Sequence, residues 1–312
     1  MAGNADFNAI LSTTLRNYRK QLVDNIFSAR PLTWFLMRKD KIRMEDGGES
    51  IVIPLMYGKS GATGSYSGYD TLSLAPQEGI TSAKYDWKQF YASVSFDGLS
   101  ELKNAGENRV INLLKSKITQ AEESMKDAFN VMLYANGTGN SGKDWNGLGN
   151  LIESTTGTVG GIDRSANSWW NAYEENTSTA LTLALMTTAY NTVSKGNDHP
   201  DFAITTQTLF EKYESLLIAN LRYQDVATAN AGFQNLLFKQ IPIVFDADCT
   251  AGVVYFLNTK YIELVGHSDK WFKQGDFKTP EDVDAKFSLL LTAGNLVLSN
   301  AARQGKLTAK TA

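Results

Sequence analysis

The sequence predicts an α+β fold arranged around one long helix. Three observations predict it. A stripe of apolar residues at helical spacing runs from residue 107 to 135. Runs that alternate apolar and polar residues, the pattern of strands, precede it. Helices and short strands then alternate from residue 179 to 265 and give way to strands near the C-terminus.

The long helix is the best-defined element. Val110, Leu114, Ile118, Ala121, Met125, Phe129 and Met132 follow one another at steps of 4, 4, 3, 4, 4 and 3, so they share one side. Leu113, Ala128 and Leu133 widen that side, and Lys115, Lys117, Glu122, Glu123, Lys126 and Asp127 form the solvated face opposite. Asn104 with Glu107 makes a capping box. Asn136-Gly137 supplies a stop, because glycine accepts the left-handed conformation that ends helices. From Glu107 to Ala135 the rod is roughly 40 Å long at about 1.5 Å per residue.

Composition sets outer bounds. The 312 residues are 43% hydrophobic and 20% charged, enough for two cores. The net charge of −3, with both signs interspersed, excludes a dedicated nucleic-acid grip. A single cysteine, Cys249, excludes an internal disulfide or a cysteine zinc cluster, and its apolar flanks suit a buried thiol. The first residues lack the layout of a signal peptide, and no apolar run reaches the roughly 18–20 residues that span a bilayer. A soluble chain made in a reducing compartment is expected.

Residues 1–48 read as an extension with helix. Phe7, Ile10, Leu11, Leu15, Tyr18, Leu22 and Ile26 recur at helical spacing, and Arg30-Pro31 ends the run. The clump from Leu32 to Met37, with Trp34 and Phe35, is followed at once by Arg38, Lys39, Lys41 and Arg43. This pattern fits an arm packed on a neighbouring chain, and equally a segment docked on its own domain. Residues 49–97 form a long hairpin. Strand Ser50–Tyr57 leads to a Gly/Ser-rich tip that carries Lys59, and the return runs from Thr81 to Phe96. Its alternation changes phase between Trp87 and Phe90, which implies a bulge or a change of buried face. Two strands alone are marginal in water. A hairpin this long needs a surface to lie on, and in a homo-oligomer an adjacent subunit supplies it.

Downstream, Gly137 to Lys143 fits the first seven positions of a phosphate-binding loop. Asp144 stands where the magnesium-binding Ser or Thr belongs, and the segment follows a helix instead of a strand. A plain turn is the expectation. Helices are expected at 179–194 and 207–222, and strands at 201–205, 239–245, 253–258, 261–265, 286–291 and 295–299. A fraying tail is expected at 306–312. His199 and His267 stand in loops with no nucleophile elbow or zinc motif around them. Asp246 with Asp248, and Glu281, Asp282 with Asp284, are ordinary loop carboxylates. No catalytic, cofactor or metal residue is assigned. Asp163-Arg164, beside two glycines and the pair Trp169-Trp170, suits an intersubunit contact, since Arg and Trp dominate interfaces.

This order of parts resembles the major capsid protein of tailed bacteriophages, the HK97-like fold. Two stretches sharpen the resemblance. Gly147-Leu148-Gly149-Asn150-Leu151-Ile152, followed by Gly160 to Ser165 and Trp169-Trp170, is similar to the segment after the family's spine helix. Gly294 to Leu307 is similar to its final strand, although the Pro and second Arg common near Ala301 and Ala302 are missing.

The resemblance implies four parts: an N-terminal arm at 1–48, an extended loop at 49–97, a peripheral domain at 98–147 and 271–312, and an axial domain at 148–270. It implies an icosahedral head shell of pentamers and hexamers around double-stranded DNA, located in the virion and assembled in the host cytoplasm. DNA would meet the inner surface without sequence preference, through Arg16, Arg19, Lys20, Arg38, Lys39, Lys41 and Arg43. A separate scaffolding protein and a portal are the implied partners, with no membrane. Some relatives crosslink a loop lysine to a neighbour's asparagine, for which Lys59 with Asn295 or Asn300 is the candidate set. Trp34, Phe35, Lys59, Asp163, Arg164, Trp169 and Trp170 are the expected assembly contacts. An encapsulin-like compartment and a soluble α+β nucleotide-dependent enzyme are the alternatives.

Overall fold

The computed structural model of the chain describes residues 30–37, 41–72, 78–103, 113–217 and 235–312. The first elements are α1 (Pro31–Leu36), β1 (Ile42–Glu45), β2 (Ile51–Met56), β3 (Ile80–Tyr85), β4 (Lys88–Asp97), α2 (Gly98–Lys103) and α3 (Leu113–Tyr134). Next come α4 (Leu148–Leu151), β5 (Thr158–Val159), β6 (Ile162–Asp163), β7 (Tyr173–Glu175), β8 (Thr179–Ala180), α5 (Leu183–Val193), β9 (Phe202–Thr205) and α6 (Gln207–Leu216). Strands complete the chain: β10 (Asn235–Phe238), β11 (Ile241–Phe245), β12 (Val254–Leu257), β13 (Ile262–His267), β14 (Lys273–Gln274), β15 (Ala285–Leu298), β16 (Gly305–Leu307) and β17 (Lys310–Thr311).

α3 is the predicted rod. Of the stripe read from the sequence it buries Ala121, Met125, Phe129, Met132 and Leu133 and half-buries Ile118, while Ala128, expected to widen the stripe, is exposed. The expected start at residues 104–112 lies outside the described residues. Past its end Gly137 takes φ +72°, as the stop signal requires. The returning chain then passes so close that a Cβ on Gly147 would lie 2.2 Å from the Ala135 carbonyl oxygen.

Two sheets pack around α3. In the first, β15 is central, with β13 and β14 along one edge and β4 along the other; β1 adds to β13 in parallel. β15 is one 14-residue strand where two were expected. Gly294 does not interrupt it. A side chain there would strike the Val265 carbonyl oxygen and Trp145, so glycine lets β13 and the core approach. In the second sheet the order is β10-β11-β9-β12-β16-β7. β9 and β12 are buried at all four positions because both faces are covered. Leu209, Phe210, Tyr213, Met186 and Ala189 of α5 and α6 pack on one face. Ile204, Val244 and Tyr255 face the core around α3.

Two expectations are corrected. The tail does not fray: β16 lies between β12 and β7, β17 pairs with β8, and Leu307 and Lys310 are buried. The expected boundary at 270/271 does not separate the sheets, since β13 joins the first and β16 the second. The phase change near Trp87 is the point where the chain leaves the hairpin sheet of β2 and β3 for the sheet of β15.

Candidate assembly surfaces

The hairpin alternates cleanly. Ile51, Ile53, Leu55, Ala83 and Tyr85 point into the main core, and Val52, Met56 and Ile80 point out. Its base therefore lies on its own chain, not on a neighbour. Three contacts fix it there. Lys84 N–H donates to the Gly160 carbonyl (2.8 Å). Tyr85 Oη donates to the Leu298 carbonyl (2.8 Å), and burial pushes its pKa up. Tyr57 stacks on Trp169 at 5.0 Å and 19°. Gly160 is required: its φ is +61°, and a Cβ would sit 2.7 Å from that of Ala83.

Beyond Tyr57 the hairpin leaves the body. Lys59, Tyr66, Tyr69 and Leu72 are exposed, and Met56 and Ile80 at its neck are 80% and 75% exposed. The direction of departure is set by β15. Lys88 pairs with Gly294, Asn295 Nδ2 donates to the Asp86 carbonyl, and Tyr85 reaches Leu298. The hairpin thus continues past one end of β15. A groove of about 530 Å³, lined by Phe90 to Ser95 of β4 and by Lys117, Gln120, Ala121 and Ser124 of α3, opens beside the other end.

The arm's root is a staple. Leu32 and Leu36 are fully buried, and Phe35 stacks on Phe202 at 4.5 Å. Arg30 pairs with Glu123 (3.1 Å) and Asp127 (3.3 Å) of α3. Thr33 Oγ1 donates to Asn130 Oδ1 (2.7 Å), and Asn130 Nδ2 donates to both Asp246 and Asp248. Tyr134 Oη also donates to Asp246 (2.9 Å), whose pKa burial raises. One polar node thus joins α1, α3 and the loop after β11. Residues 31–36 dock on their own chain, and of the aromatic pair only Trp34, 39% exposed, faces outward.

Arg164 and Trp170 are corrected as surface contacts. Arg164 is fully buried and donates to the carbonyls of Leu151 (2.6 Å) and Asn150 (2.9 Å). Burial lowers its pKa, and Glu153 and Tyr85 oppose the shift. Trp170 is buried, with Nε1 donating to the Val159 carbonyl (3.1 Å). Asp163 does not pair with Arg164; it is exposed and accepts from Ser165 Oγ (2.8 Å). Trp169 is half-buried under Tyr57. These residues build the platform for the hairpin. Asn295 is buried with its carboxamide bonded to Asn146, Asp86 and Leu296, so Asn300 is the accessible asparagine of the crosslink set. Arg43 is engaged with Glu45 and Glu263.

The nucleotide alternative finds no cradle. Asn140 and Ser141 take φ 51° and 60° in an exposed turn with no long helix opening from it. His199 is exposed, and His267 caps Asp269 N–H (3.2 Å) at a strand end. Among the described residues, no group of three or more His, Cys, Asp or Glu could hold a metal, and no helix is long and apolar enough to cross a membrane. The tyrosines of the hairpin tip were missed by the sequence reading. The signal was present, since Tyr among Ser and Gly is the composition of adaptable binding loops.

Among solved structures, a chain of the cyanophage A-1(L) capsid superposes with a TM-score of 0.73 at 17% identity, covering 100% of this chain and 99% of that one. The fold is the HK97-like capsid fold. A capsid chain of a native GTA particle matches with a TM-score of 0.64 at 9% identity, covering 99% and 100%. The SrpI encapsulin of Synechococcus elongatus matches with a TM-score of 0.62 at 10% identity, covering 97% and 95%. No protein-family model matches the chain, and no curated protein matches its sequence. At these identities the likeness is one of fold, and the structures named here are shells.

Proposed function

We propose that this chain is the major capsid protein of a tailed bacteriophage, which self-assembles into an icosahedral head around double-stranded DNA. The observation that carries the reading is the hairpin tip. Its aromatic residues are exposed, and it departs from the end of β15 opposite the groove beside β4. A tip and a receptor groove at opposite ends of one chain make a head-to-tail contact, and head-to-tail contacts form rings where the rotation between neighbours closes. The groove of the next subunit receives the tip, and Trp34 and Lys59 add to the contact. The rigid part is the body of α3 and the two sheets. Each contact is modest, and many per subunit sum to a stable shell. Scaffolding protein and portal act during assembly in the host cytoplasm, and DNA meets the inner surface through phosphate electrostatics.

Electron microscopy of the expressed chain tests this. Shells, tubes or sheets support it, and a concentrated sample that stays monomeric with any assembly helper present refutes it. The match to an encapsulin favours a second reading, a compartment around cargo protein. Purified particles that hold protein and no nuclease-protected DNA would replace the first reading with the second.

A further inference from the structure

At the root of the hairpin, where β3 passes into β4, a polar cleft of about 180 Å³ opens between three parts of the chain. Lys84 and Lys88 come from the hairpin side, Asn146 and Asn150 from the segment after α3, and Gly160 and Gly161 from the turn between β5 and β6. These walls offer hydrogen-bond donors in excess. Lys88 Nζ donates to the Gly142 carbonyl. Lys84 Nζ, the side-chain amides of Asn146 and Asn150, and the N–H groups of Gly160 and Gly161 have no partner among the described residues. Neither lysine is ion-paired among those residues, and the one carboxylate on the walls is that of Asp86, which is exposed.

A third cation stands behind the same wall. Arg164 Nη1 donates to the carbonyl of Asn150, and Tyr85, which also lines the cleft, feels the charge of the guanidinium. Arg164 is fully buried and, among the described residues, pairs with no carboxylate at contact distance and leaves its Nε without a partner. A buried guanidinium without a counter-charge is destabilising. Two lysines and a buried arginine around one small cleft, against a single exposed acid, favour an anion there, and its hydrogen bonds to them are charge-assisted.

We infer that this cleft binds one phosphate group, either the free ion or one carried by a nucleic-acid backbone. The donors come from three separate segments, which suits the tetrahedral oxygens of phosphate better than the two coplanar oxygens of a carboxylate. The bound group joins the hairpin root, the segment after α3 and the platform turn. It thereby stiffens the angle at which the hairpin leaves the body. The inference does not rest on the shell reading, and the unassembled chain is sufficient to test it.

Equilibrium dialysis of the full chain against radiolabelled inorganic phosphate, with ionic strength held constant by sodium chloride, tests it. One phosphate per chain binds, with a dissociation constant of about 1 mM or below. Lys84→Gln is the informative variant, because Lys84 is exposed and its ammonium holds nothing in the fold. Affinity falls about 10–100-fold, the loss of one charge-assisted hydrogen bond, and Lys84→Arg restores most of it. Lys88→Gln weakens binding likewise. Lys195→Gln, at an exposed lysine on the turn after α5, changes nothing. Absence of saturable binding overturns the inference. Binding that Lys84→Gln leaves unchanged overturns it too, since the site is then that of an adventitious ion only. A second measurement reads the hairpin. Phosphate slows proteolysis at the hairpin neck of the wild-type chain and not of Lys84→Gln; equal protection of both is the contrary result. A short DNA duplex added as competitor separates the two sources. Displacement of labelled phosphate assigns the cleft to backbone phosphate, retention assigns it to the free ion, and either supports a phosphate site.

Discussion

Trp34 and Phe35 are neighbours on one turn of α1 and meet opposite surroundings, so alanine at each position separates folding from assembly. Phe35 stacks on Phe202 at 4.5 Å and 17° inside the chain. Removing a fully buried phenylalanine costs about 3–5 kcal/mol, and Phe35 is only partly buried, so Phe35→Ala costs about 2–3 kcal/mol. That corresponds to a fall of about 3–5 °C in Tm for a chain of this length. Trp34 keeps 39% of its surface exposed. With about 250 Å² for the whole residue, about 100 Å² remains to be covered by a neighbour. At about 25 cal/mol per Å² this contributes at most about 2.5 kcal/mol, or about 60-fold in the contact's dissociation constant. The remaining three-fifths of Trp34 packs on its own chain, against Phe35 among others, so Trp34→Ala lowers the urea midpoint of the unassembled chain and, in addition, lowers the yield of sedimenting particles under conditions where the variant is folded. Phe35→Ala lowers the midpoint alone, and whatever folds still assembles. If folded Trp34→Ala assembles as well as folded Phe35→Ala, or if Phe35→Ala blocks assembly at unchanged stability, the division between staple and contact is wrong.

Four further outcomes follow from the same geometry. Arg164→Met strands two buried carbonyls that now receive charge-assisted hydrogen bonds, and urea denaturation should register a loss of about 2–4 kcal/mol; a loss below about 1 kcal/mol contradicts the strut. Gly160→Ala adds a Cβ 2.7 Å from Ala83 at a positive φ, so Trp169 fluorescence and the protease resistance of the hairpin neck both change, and neither changing refutes the platform. Deleting residues 58–69 leaves the circular dichroism and the melting transition intact but cuts particle yield at least about tenfold; normal particles refute the tip contact. Asp198 bears on acid stability. Burial acts to raise its pKa, but hydrogen bonds from Tyr261 and Asn258, with Lys260 and Arg303 nearby, outweigh that and hold it below its ordinary value. Its contribution is thus complete above the unfolded carboxyl value of about 3.9 and disappears as pH falls through the lower folded value. Asp198→Asn flattens the fall in stability below about pH 4 and leaves the slope between about pH 5 and 8 alone; an unchanged acid limb is the contrary result.

What was legible in the sequence is what local periodicity encodes. Most of the rod's buried stripe and the bodies of the two helices of the second sheet follow from spacing alone. The hairpin was legible only in part: the expected return to Phe96 is split, β3 pairing with β2 while β4 joins the sheet of β15, and the first helix begins at Leu183, after the short strand Thr179–Ala180. Three features were not legible, and each depends on distant partners. The tail from Gly305 to Thr311 reads as a frayed end because its small, polar composition hides strand pairing with β12, β7 and β8. Gly294 reads as a break because the nearness of Val265 and Trp145 is invisible in one dimension. Arg164 reads as a surface charge because its carbonyl acceptors lie 13 and 14 residues away. The candidate contacts divide the same way. Trp34 and Lys59 are exposed, while Phe35, Arg164 and Trp170 carry the same residue types into the interior.

The position of β16 has a consequence for synthesis. It is the inner strand that joins β7 to the rest of the second sheet, and it comes from residues 305–307. A nascent polypeptide cannot close that sheet until residue 307 has left the ribosome, long after β7, β9 and β12 have emerged. A product cut short before residue 305 lacks the bridging strand and leaves β12 with a raw edge.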